Sequence, residues 1–186
     1  MRVQCAQLLK LRQAEVFETE LSAFTQNVKY WTDLKTICDG EVICDREEYL
    51  ADSFLPEYYD YVVVDRPLNR YHEPQKLIDT LFSLCKEGGF VVCSLKNTAS
   101  FQEYVNLLGE RQVYDREFSY NIPLEALKAA LDRKGSVKSI FRRNFNMNGE
   151  QQSALADLLP QDAAPQQKKE LLARMLCESF LIVVQK

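Results

Sequence analysis

The chain has 186 residues, of which 46% are hydrophobic, and a formal net charge of -4 from 23 basic and 27 acidic residues. This length supports one domain with a core, and the interspersed charges, without a lysine or arginine block, do not favour nucleic acid as a partner. No apolar stretch approaches the roughly 20 residues that span a bilayer, and the N-terminus lacks the basic flank and apolar core of a signal peptide. We expect a cytoplasmic protein without nucleic-acid or membrane partners.

The cysteine pattern indicates neither a metal site nor a disulfide framework. The six cysteines form no C-x-x-C motif and no paired spacing. Cys44, Cys85 and Cys93 lie inside apolar periodic segments, where a reduced thiol behaves as a small hydrophobe. We therefore expect no structural zinc, no disulfides and no other bound metal.

The first part of the chain predicts a strand, a helix and a second strand. The segment "AEVFETEL" (14–21) alternates and is rich in β-formers at its centre, and Ser22 is the expected N-cap of the helix that follows. Gly40 ends this helix before "EVICD", a short apolar strand that ends at Asp45. Four apolar residues repeat at near-helical spacing between the two strands: Phe24, Val28, Trp31 and Leu34.

The middle of the chain predicts a buried strand, a helix and another strand. "YDYVVVD" (59–65) is a β-branched run without polar alternation, a pattern typical of a central strand covered on both faces. Pro74 opens a helix with one apolar stripe, which Gly88 and Gly89 end before the strand "FVVCSL" (90–95). The expected core residues are Val62, Val64, Leu77, Leu81, Val91 and Leu95.

The last part predicts two more helices and two more strands. Helices are expected over "ASFQEYVNLLG" (99–109) and "PLEALKAALDRKG" (123–135), and strands over 136–145 and 179–186. Residues 146–177 form a helical insertion between these strands, which favours antiparallel pairing of the last one. The alternation predicts one α/β domain over residues 1–186, with a mostly parallel sheet and helices on both faces.

This order of elements resembles the class I S-adenosylmethionine (SAM) dependent methyltransferases, especially the small-molecule and sugar methyltransferases related to ubiquinone methyltransferases. The resemblance implies a three-layer Rossmann-like fold with an antiparallel last strand, SAM as cofactor and, in an active member, a small-molecule substrate. It is carried by four segments: "VFETELSAFTQNVKYW" (16–31), "EVICDREEYL" (41–50), "YYDYVVVDRPLNRYHEPQKLIDTLFSLCKEGGFVVCSL" (58–95), and "LEALKAALDRKGSVKSIFRRNF" (124–145) with the terminal "SFLIVVQK".

The resemblance also implies a first strand that ends in a glycine-rich E/D-x-G-x-G-x-G loop, where the backbone approaches the methionine part of SAM. The sequence has no glycine before Gly40, and "MRVQCAQLLKLRQA" (1–14) predicts a helix instead. We therefore expect the first strand and the glycine loop to be missing, either because the gene lost them or because the chain is a fragment.

Three cofactor-binding residues follow from the resemblance. Glu20 stands where an acidic residue accepts the ribose hydroxyls, and Asp45 stands where an aspartate accepts the adenine amino group. Asp65 ends the segment that resembles the fourth strand and is the third cofactor-binding candidate. Acidic residues at strand ends are also ordinary solvated turn formers, so the residues alone leave both interpretations open.

The loop "LNRYHEP" (68–74) departs from the family pattern. Close relatives read "LEHLRDP", in which a glutamate and a histidine face the methyl-transfer site. Here Asn69 and Arg70 replace them, and His72 falls two residues later. His72 is the single catalytic candidate, as a general base, because its unperturbed pKa lies near neutrality. The alternative is an ordinary exposed loop histidine.

Three functions remain open at this point. The first is a methyltransferase-like domain, degenerate or truncated, with impaired SAM binding. The second is an active methyltransferase whose glycine loop lies upstream or in a partner chain. The third is a non-catalytic binding or assembly module. Because natural proteins rarely leave a long apolar sheet edge bare, we also expect a homo-oligomer or a partner chain on that side, with residues 1–14 involved.

Overall fold

The computed structural model describes residues 20–64, 66–108 and 121–186, which form a mixed α/β fold. A short strand, β1 (Ala23–Thr25), pairs in parallel with β2 (Val42–Cys44). The other described strands form one four-stranded sheet: β3 (Tyr59–Val63), β4 (Cys85–Lys96), β5 (Ser136–Asn144) and β6 (Cys177–Gln185).

The four-stranded sheet has the order β3-β4-β6-β5. β3 runs parallel to β4, whereas β6 lies between β4 and β5 and is antiparallel to both. Strands β3, β4 and β5 therefore share one direction and only β6, among the described strands of this sheet, opposes them. This confirms the predicted fold class and the antiparallel last strand.

Helices connect these strands along the chain. The helices are α1 (Val28–Lys35), α2 (Leu50–Ser53), α3 (Pro74–Leu84), α4 (Phe101–Leu108), α5 (Leu124–Asp132), α6 (Gly149–Asp157) and α7 (Pro165–Leu176). Two single 3₁₀ turns, Glu47–Tyr49 and Leu68–Arg70, follow β2 and β3. Across the part of the chain that the structure describes, no helix has the length and apolar character needed to cross a bilayer.

The core lies between α3, α5 and one face of the four-stranded sheet. Leu81 of α3 and Leu131 of α5 share a buried cluster with strand residues such as Ile182. Five of the six residues predicted for the core are buried: Val64, Leu77, Leu81, Val91 and Leu95. The sixth, Val62, is partly buried against the same cluster.

The prediction that "YVVVD" forms a central strand covered on both faces is wrong for the described residues. There β3 pairs with β4 alone and forms an edge of the four-stranded sheet. Val62 and Val64 pack against the core cluster that includes α3 and α5, while Tyr61 and Val63 lie on the other face and are 64% and 56% exposed. A run of β-branched residues thus gives strand propensity without fixing burial of both faces.

The element boundaries before β2 also differ from the prediction. Residues 14–19 of the predicted strand lie outside the described residues, and the strand that the structure shows, β1, begins at Ala23. The predicted N-cap, Ser22, instead accepts a hydrogen bond from the backbone N–H of Glu41 (3.2 Å). Asn27 caps α1, accepting from the backbone N–H of Lys29 (3.0 Å). Within the described residues, the strand and the start of the helix therefore lie further toward the C-terminus than Ser22 predicted.

Helix α3 ends earlier than the sequence predicted from the pair Gly88 and Gly89. It ends at Leu84, and Cys85 already has extended backbone angles (φ -74°, ψ 133°) and opens β4. Cys85 is the strand partner of Tyr59, so pairing with β3 begins four residues before Gly89. Gly88 has a positive φ of 77°, which glycine adopts at no steric cost.

Candidate functional site

Asp45 lies where the sequence placed it, directly after the carboxyl end of β2. Its backbone N–H donates to the carbonyl oxygen of Thr25 (3.1 Å), the last residue of β1. The carboxylate accepts a hydrogen bond from the backbone N–H of Arg46 (2.7 Å), and the side chain is exposed. Asp45 can therefore accept a hydrogen bond from an amino group that approaches this edge of the sheet.

Glu20 lies at the opposite end of the same strand pair. It precedes β1 by three residues, and a Cβ atom placed on Gly40 would lie 3.0 Å from its Oε1 atom. The neighbouring Leu21 pairs with the residues that precede β2, since its carbonyl accepts from the backbone N–H of Gly40 (3.1 Å). Glu20 and Asp45 are therefore not brought together, and no single edge of this strand pair presents both carboxylates.

Tyr59, the first residue of β3, lies beside Glu20. Burial raises the pKa of Tyr59 above its usual value, a hydrogen bond with Ser22 acts to lower it, and the carboxylates of Glu41 and Glu20 raise it further. Glu20 thus belongs to the amino ends of β1 and β3, where its charge acts on a phenol.

A carboxylate that the sequence reasoning missed, Glu47, lies close to Asp45. It sits in the 3₁₀ turn after β2, and its Oε2 atom accepts a hydrogen bond from Nε2 of Gln26 (3.4 Å), which follows β1. Burial raises the pKa of Glu47, while the Gln26 hydrogen bond and the nearby Arg66 and His72 act to lower it. Its position two residues after Asp45 was the available signal.

His72 lies in the loop between β3 and α3, exposed and close enough to Glu47 to act on its charge. The loop therefore brings an imidazole and a carboxyl group of raised pKa to the edge that holds Asp45. Such a pair can exchange a proton with a bound molecule in general acid–base chemistry. Asp65, the third cofactor-binding candidate, lies outside the described residues.

The residue that replaces the family's loop glutamate, Asn69, has a structural role. It is fully buried, its Nδ2 donates to the carbonyl oxygen of Lys96 (3.1 Å), and its Oδ1 accepts from the backbone N–H of Lys96 (3.2 Å). Both polar atoms of the amide are thereby used in holding the loop against the end of β4. Asn69 does not face the edge as a free functional group.

The cysteines of the described residues are free thiols, and three of them are buried: Cys85, Cys93 and Cys177. Burial raises the pKa of all three thiols, that of Cys93 to about 12. A thiol held in its protonated form is a poor nucleophile. Within the described ranges, no group of three or more histidine, cysteine, aspartate or glutamate side chains is placed to bind a metal ion.

Comparison with solved structures identifies the class of fold to which this sheet and its loops belong. No protein-family model matches the sequence, and no curated protein matches it. The solved structures that match the chain by shape include SAM-dependent methyltransferases. The chain thus has a Rossmann-like fold that it shares with the class I SAM-dependent methyltransferases.

Three of these structures show how far the likeness extends. A SAM-dependent methyltransferase from Archaeoglobus fulgidus has a TM-score of 0.61 and 19% identity, over 98% of this chain and 82% of that one. The plantazolicin methyltransferase BamL, solved with SAH, has a TM-score of 0.58 and 12% identity, over 97% and 73%. The [4+2]-cyclase SpnF has a TM-score of 0.57 and 12% identity, over 95% and 70%.

Proposed function

We propose that this chain is a SAM-dependent methyltransferase-like domain with impaired cofactor binding, degenerate in catalysis. The fold supports the first half of this proposal. The fold alone does not determine the chemistry, because the same architecture occurs in a protein described as a [4+2]-cyclase. The proposal of impaired cofactor binding and degenerate catalysis must therefore rest on the residues near the sheet edge that holds Asp45.

The separation of Glu20 from Asp45 is the observation that carries the proposal. The resemblance calls for three sets of contacts to SAM: a glycine loop, a ribose carboxylate and an adenine carboxylate. Asp45 follows the carboxyl end of β2 and is our candidate for the third, Glu20 lies at the far end of the strand pair, and no glycine precedes Gly40 in the sequence. Among the described residues, the side chains near this edge therefore supply one of the three sets of contacts.

The loop after β3 supports loss of catalysis. Asn69 stands where relatives have a loop glutamate, and both polar atoms of its side chain bond the backbone of Lys96. His72 lies near Glu47, whose charged form it favours, and two positions from the place of the family histidine. The loop therefore keeps a scaffold function without the usual reactive pair.

Isothermal titration calorimetry with SAM and SAH tests the proposal. One carboxylate bond contributes about 1.5 to 3 kcal/mol, so Asp45 with a few polar neighbours cannot replace a missing subsite. We expect a Kd no tighter than about 0.1 to 1 mM for the purified chain, the range that corresponds to roughly 4 to 5.5 kcal/mol.

Two matched variants locate any binding that is seen. Asp45→Ala should remove it, because the adenine contact is lost, whereas Glu20→Ala should leave it unchanged, because that carboxylate lies at the other end of β1. Micromolar binding that Glu20→Ala abolishes would overturn the proposal. It would mean that Glu20 contacts the ribose and that another segment supplies the glycine loop.

An active methyltransferase is the second candidate. The match to the Archaeoglobus fulgidus enzyme covers 98% of this chain but 82% of that one, so part of the enzyme has no counterpart here. A glycine loop from an upstream segment or a partner chain would complete the cofactor site. Adding in-frame upstream sequence to the chain should then convert millimolar SAM binding to micromolar binding, and an unchanged affinity contradicts this candidate.

A further inference from the structure

The buried residues of the described chain all lie in its later part. No residue from Glu20 to Val63 is buried, and the first buried residue is Val64. Leu50, which is partly buried, is the one described residue before β3 that packs against the core cluster. We call residues 20–55, which contain β1, α1, β2 and α2, the strand-pair unit. The burial of apolar side chains therefore contributes little to the stability of this unit.

Hydrogen bonds join the parts of the strand-pair unit to each other. Strands β1 and β2 have three residues each and pair with no described strand of the four-stranded sheet. Nε1 of Trp31 donates to the carbonyl oxygen of Val42 (3.2 Å), and the backbone N–H of Leu21 donates to Oδ1 of Asp39 (2.8 Å). A unit of fewer than about 40 residues without a buried core does not stay folded alone, so it depends on contacts with the rest of the protein.

The rest of the described chain, residues 57–64, 66–108 and 121–186, is called the sheet unit. Rings and one hydroxyl link the two units at the amino end of β3. The ring of Phe54 meets that of Tyr59 edge-on, with centroids 5.7 Å apart, and also lies 6.4 Å from the ring of Phe24. Ser22 forms a hydrogen bond with Tyr59. Phe54 is thus the side chain that bridges β1 and β3.

Charges link the two units at the other end of the strands. The charges of Arg66 and His72, in the loop after β3, act on Glu47 in the 3₁₀ turn after β2. His72 is exposed, and Arg66 and Glu47 are half-buried. Charge interactions near the surface contribute about 0 to 1 kcal/mol, because solvent and salt screen them. This end of the boundary is therefore held weakly.

The boundary between the units is a turn at Glu57. Its φ is 53°, in the left-handed region that residues with a side chain seldom adopt. The backbone N–H of Glu57 donates to the carbonyl oxygen of Ser83 (2.8 Å), and that of Tyr58 donates to Leu84 (3.1 Å). These bonds attach residues 57 and 58 to the end of α3, so the sheet unit begins at Glu57.

We propose that the strand-pair unit unfolds as one cooperative unit while the sheet unit stays folded. Asp45 and Glu47 belong to the unit that opens, whereas Arg66 and His72 belong to the unit that stays. Opening therefore dismantles the sheet edge that holds Asp45, and a molecule that contacts both sides of this edge binds only the closed form. Its apparent affinity is lowered by the closed fraction. The inference concerns conformational stability and is independent of SAM binding.

Trp31 is the single tryptophan of the sequence and lies in the strand-pair unit, so its fluorescence reports on that unit. The full chain is unfolded in urea and followed by Trp31 fluorescence and by far-UV circular dichroism, to which the larger sheet unit contributes most. We expect the fluorescence midpoint at a urea concentration lower by at least about 0.5 M. Coincident transitions would overturn the proposal, because they indicate all-or-none unfolding of the whole chain.

Two matched variants test the bridge between the units. Phe54→Ala should lower the fluorescence midpoint further, or remove the fluorescence transition, while the main circular dichroism transition keeps its midpoint. Phe141→Ala removes the same atoms from a side chain of β5 that is 57% exposed and should leave the fluorescence midpoint unchanged. The proposal fails if Phe54→Ala shifts both transitions equally, or if it leaves the fluorescence midpoint where it was.

Native-state hydrogen exchange, measured by NMR at low urea concentrations, resolves the opening by residue. The backbone amides of Ala23 and Asp45 are both hydrogen-bonded within the strand-pair unit, whereas that of Val64 is bonded to β4. We expect Ala23 and Asp45 to be protected at least about 100-fold less than Val64, with one common dependence on urea. Equal protection of the three amides would contradict the proposal. Different urea dependences for Ala23 and Asp45 would also contradict it, since they indicate separate fraying of the two strands.

Discussion

The side-chain amide of Asn69 forms two hydrogen bonds with the backbone of a single residue, Lys96, 27 positions further along the chain. One bond uses the N–H of Lys96 and the other its carbonyl, so the amide replaces the neighbour that a further strand would give at that point of β4. The loop after β3 and the carboxyl end of β4 are thereby held as one unit.

Asn69→Ala should lower the free energy of unfolding by about 1 to 3 kcal/mol, because two half-buried backbone groups of Lys96 lose their partners. It should also raise the hydrogen-exchange rate of the Lys96 amide. Urea unfolding and exchange measured by NMR give the two values. Asn146→Ala, at an exposed asparagine, is the control and should change neither. A normal exchange rate for Lys96 in Asn69→Ala would contradict the arrangement.

Leu81→Ala should destabilise the protein by about 2 to 5 kcal/mol, since Leu81 is 3% exposed and lies in the cluster between α3 and the sheet. Chemical denaturation of the variant checks this value. Leu158→Ala removes the same atoms from a side chain that is 72% exposed and should cost less than about 0.5 kcal/mol. A loss below about 0.5 kcal/mol for Leu81→Ala would mean that the register of α3 is wrong.

Gly135→Ala should destabilise by about 1 to 3 kcal/mol, because a Cβ atom there would overlap the carbonyl group of Gln185 and lie 3.1 Å from Phe82. Gly149→Ala is the matched change: a Cβ atom at Gly149 meets nothing within 4 Å, at the first residue of α6. That variant should be neutral or more stable by up to about 1 kcal/mol. Thermal unfolding of both variants measures the difference. Equal midpoint temperatures would count against the close approach at Gly135.

Stability should fall in alkaline solution because of Cys93. Its pKa is raised from 9.0 to about 12 by burial, so above pH 9 the unfolded thiol loses its proton while the folded thiol keeps it. The contribution is complete below pH 9 and decreases by about 1.4 kcal/mol for each pH unit up to the folded pKa. Urea unfolding between about pH 8 and pH 10.5 measures this slope.

The variant Cys93→Ala isolates the contribution of this thiol. Other groups also lower the stability as the pH rises, because burial raises their pKa values; they include Cys85, Cys177 and Tyr59. The variant should be less stable at every pH because it loses packing, yet its stability should fall less steeply above pH 9. A slope identical to that of the parent would show that the Cys93 thiol reaches solvent in the folded state.

Much of the fold could be predicted from periodicity alone. The apolar stripe that begins at Pro74 and the alternation of β4 gave the correct core partners, Leu81 with Val91 and Leu95, because helical and strand periods are local properties of the chain. The antiparallel β6 followed from the long insertion that precedes it. The edge position of β3 could not be predicted, since it depends on which strands pair and the residues of β3 do not encode that.

The candidate site was predicted only in part for a related reason. Asp45 directly follows a clearly apolar strand, so its place at the carboxyl edge was fixed by local sequence. Glu20 was assigned to a strand end in a region where β-formers and helix-formers overlap, and the strand begins three residues later at Ala23. Glu47 was missed because its hydrogen bond with Gln26 and its charge interaction with His72 join distant parts of the chain.

The position of β6 has a consequence for the order in which the protein can fold. Residues 177–185 pair with β4 on one side and β5 on the other, so they join segments that lie nearly half and about a quarter of the chain length away. Contacts of such sequence separation close slowly, because the loop entropy is lost before the strand pairs are gained. On the ribosome, β4 and β5 emerge well before their common neighbour. Until residues 177–185 are released, each of these strands has an unpaired edge, a stage at which chaperones or aggregation compete with folding.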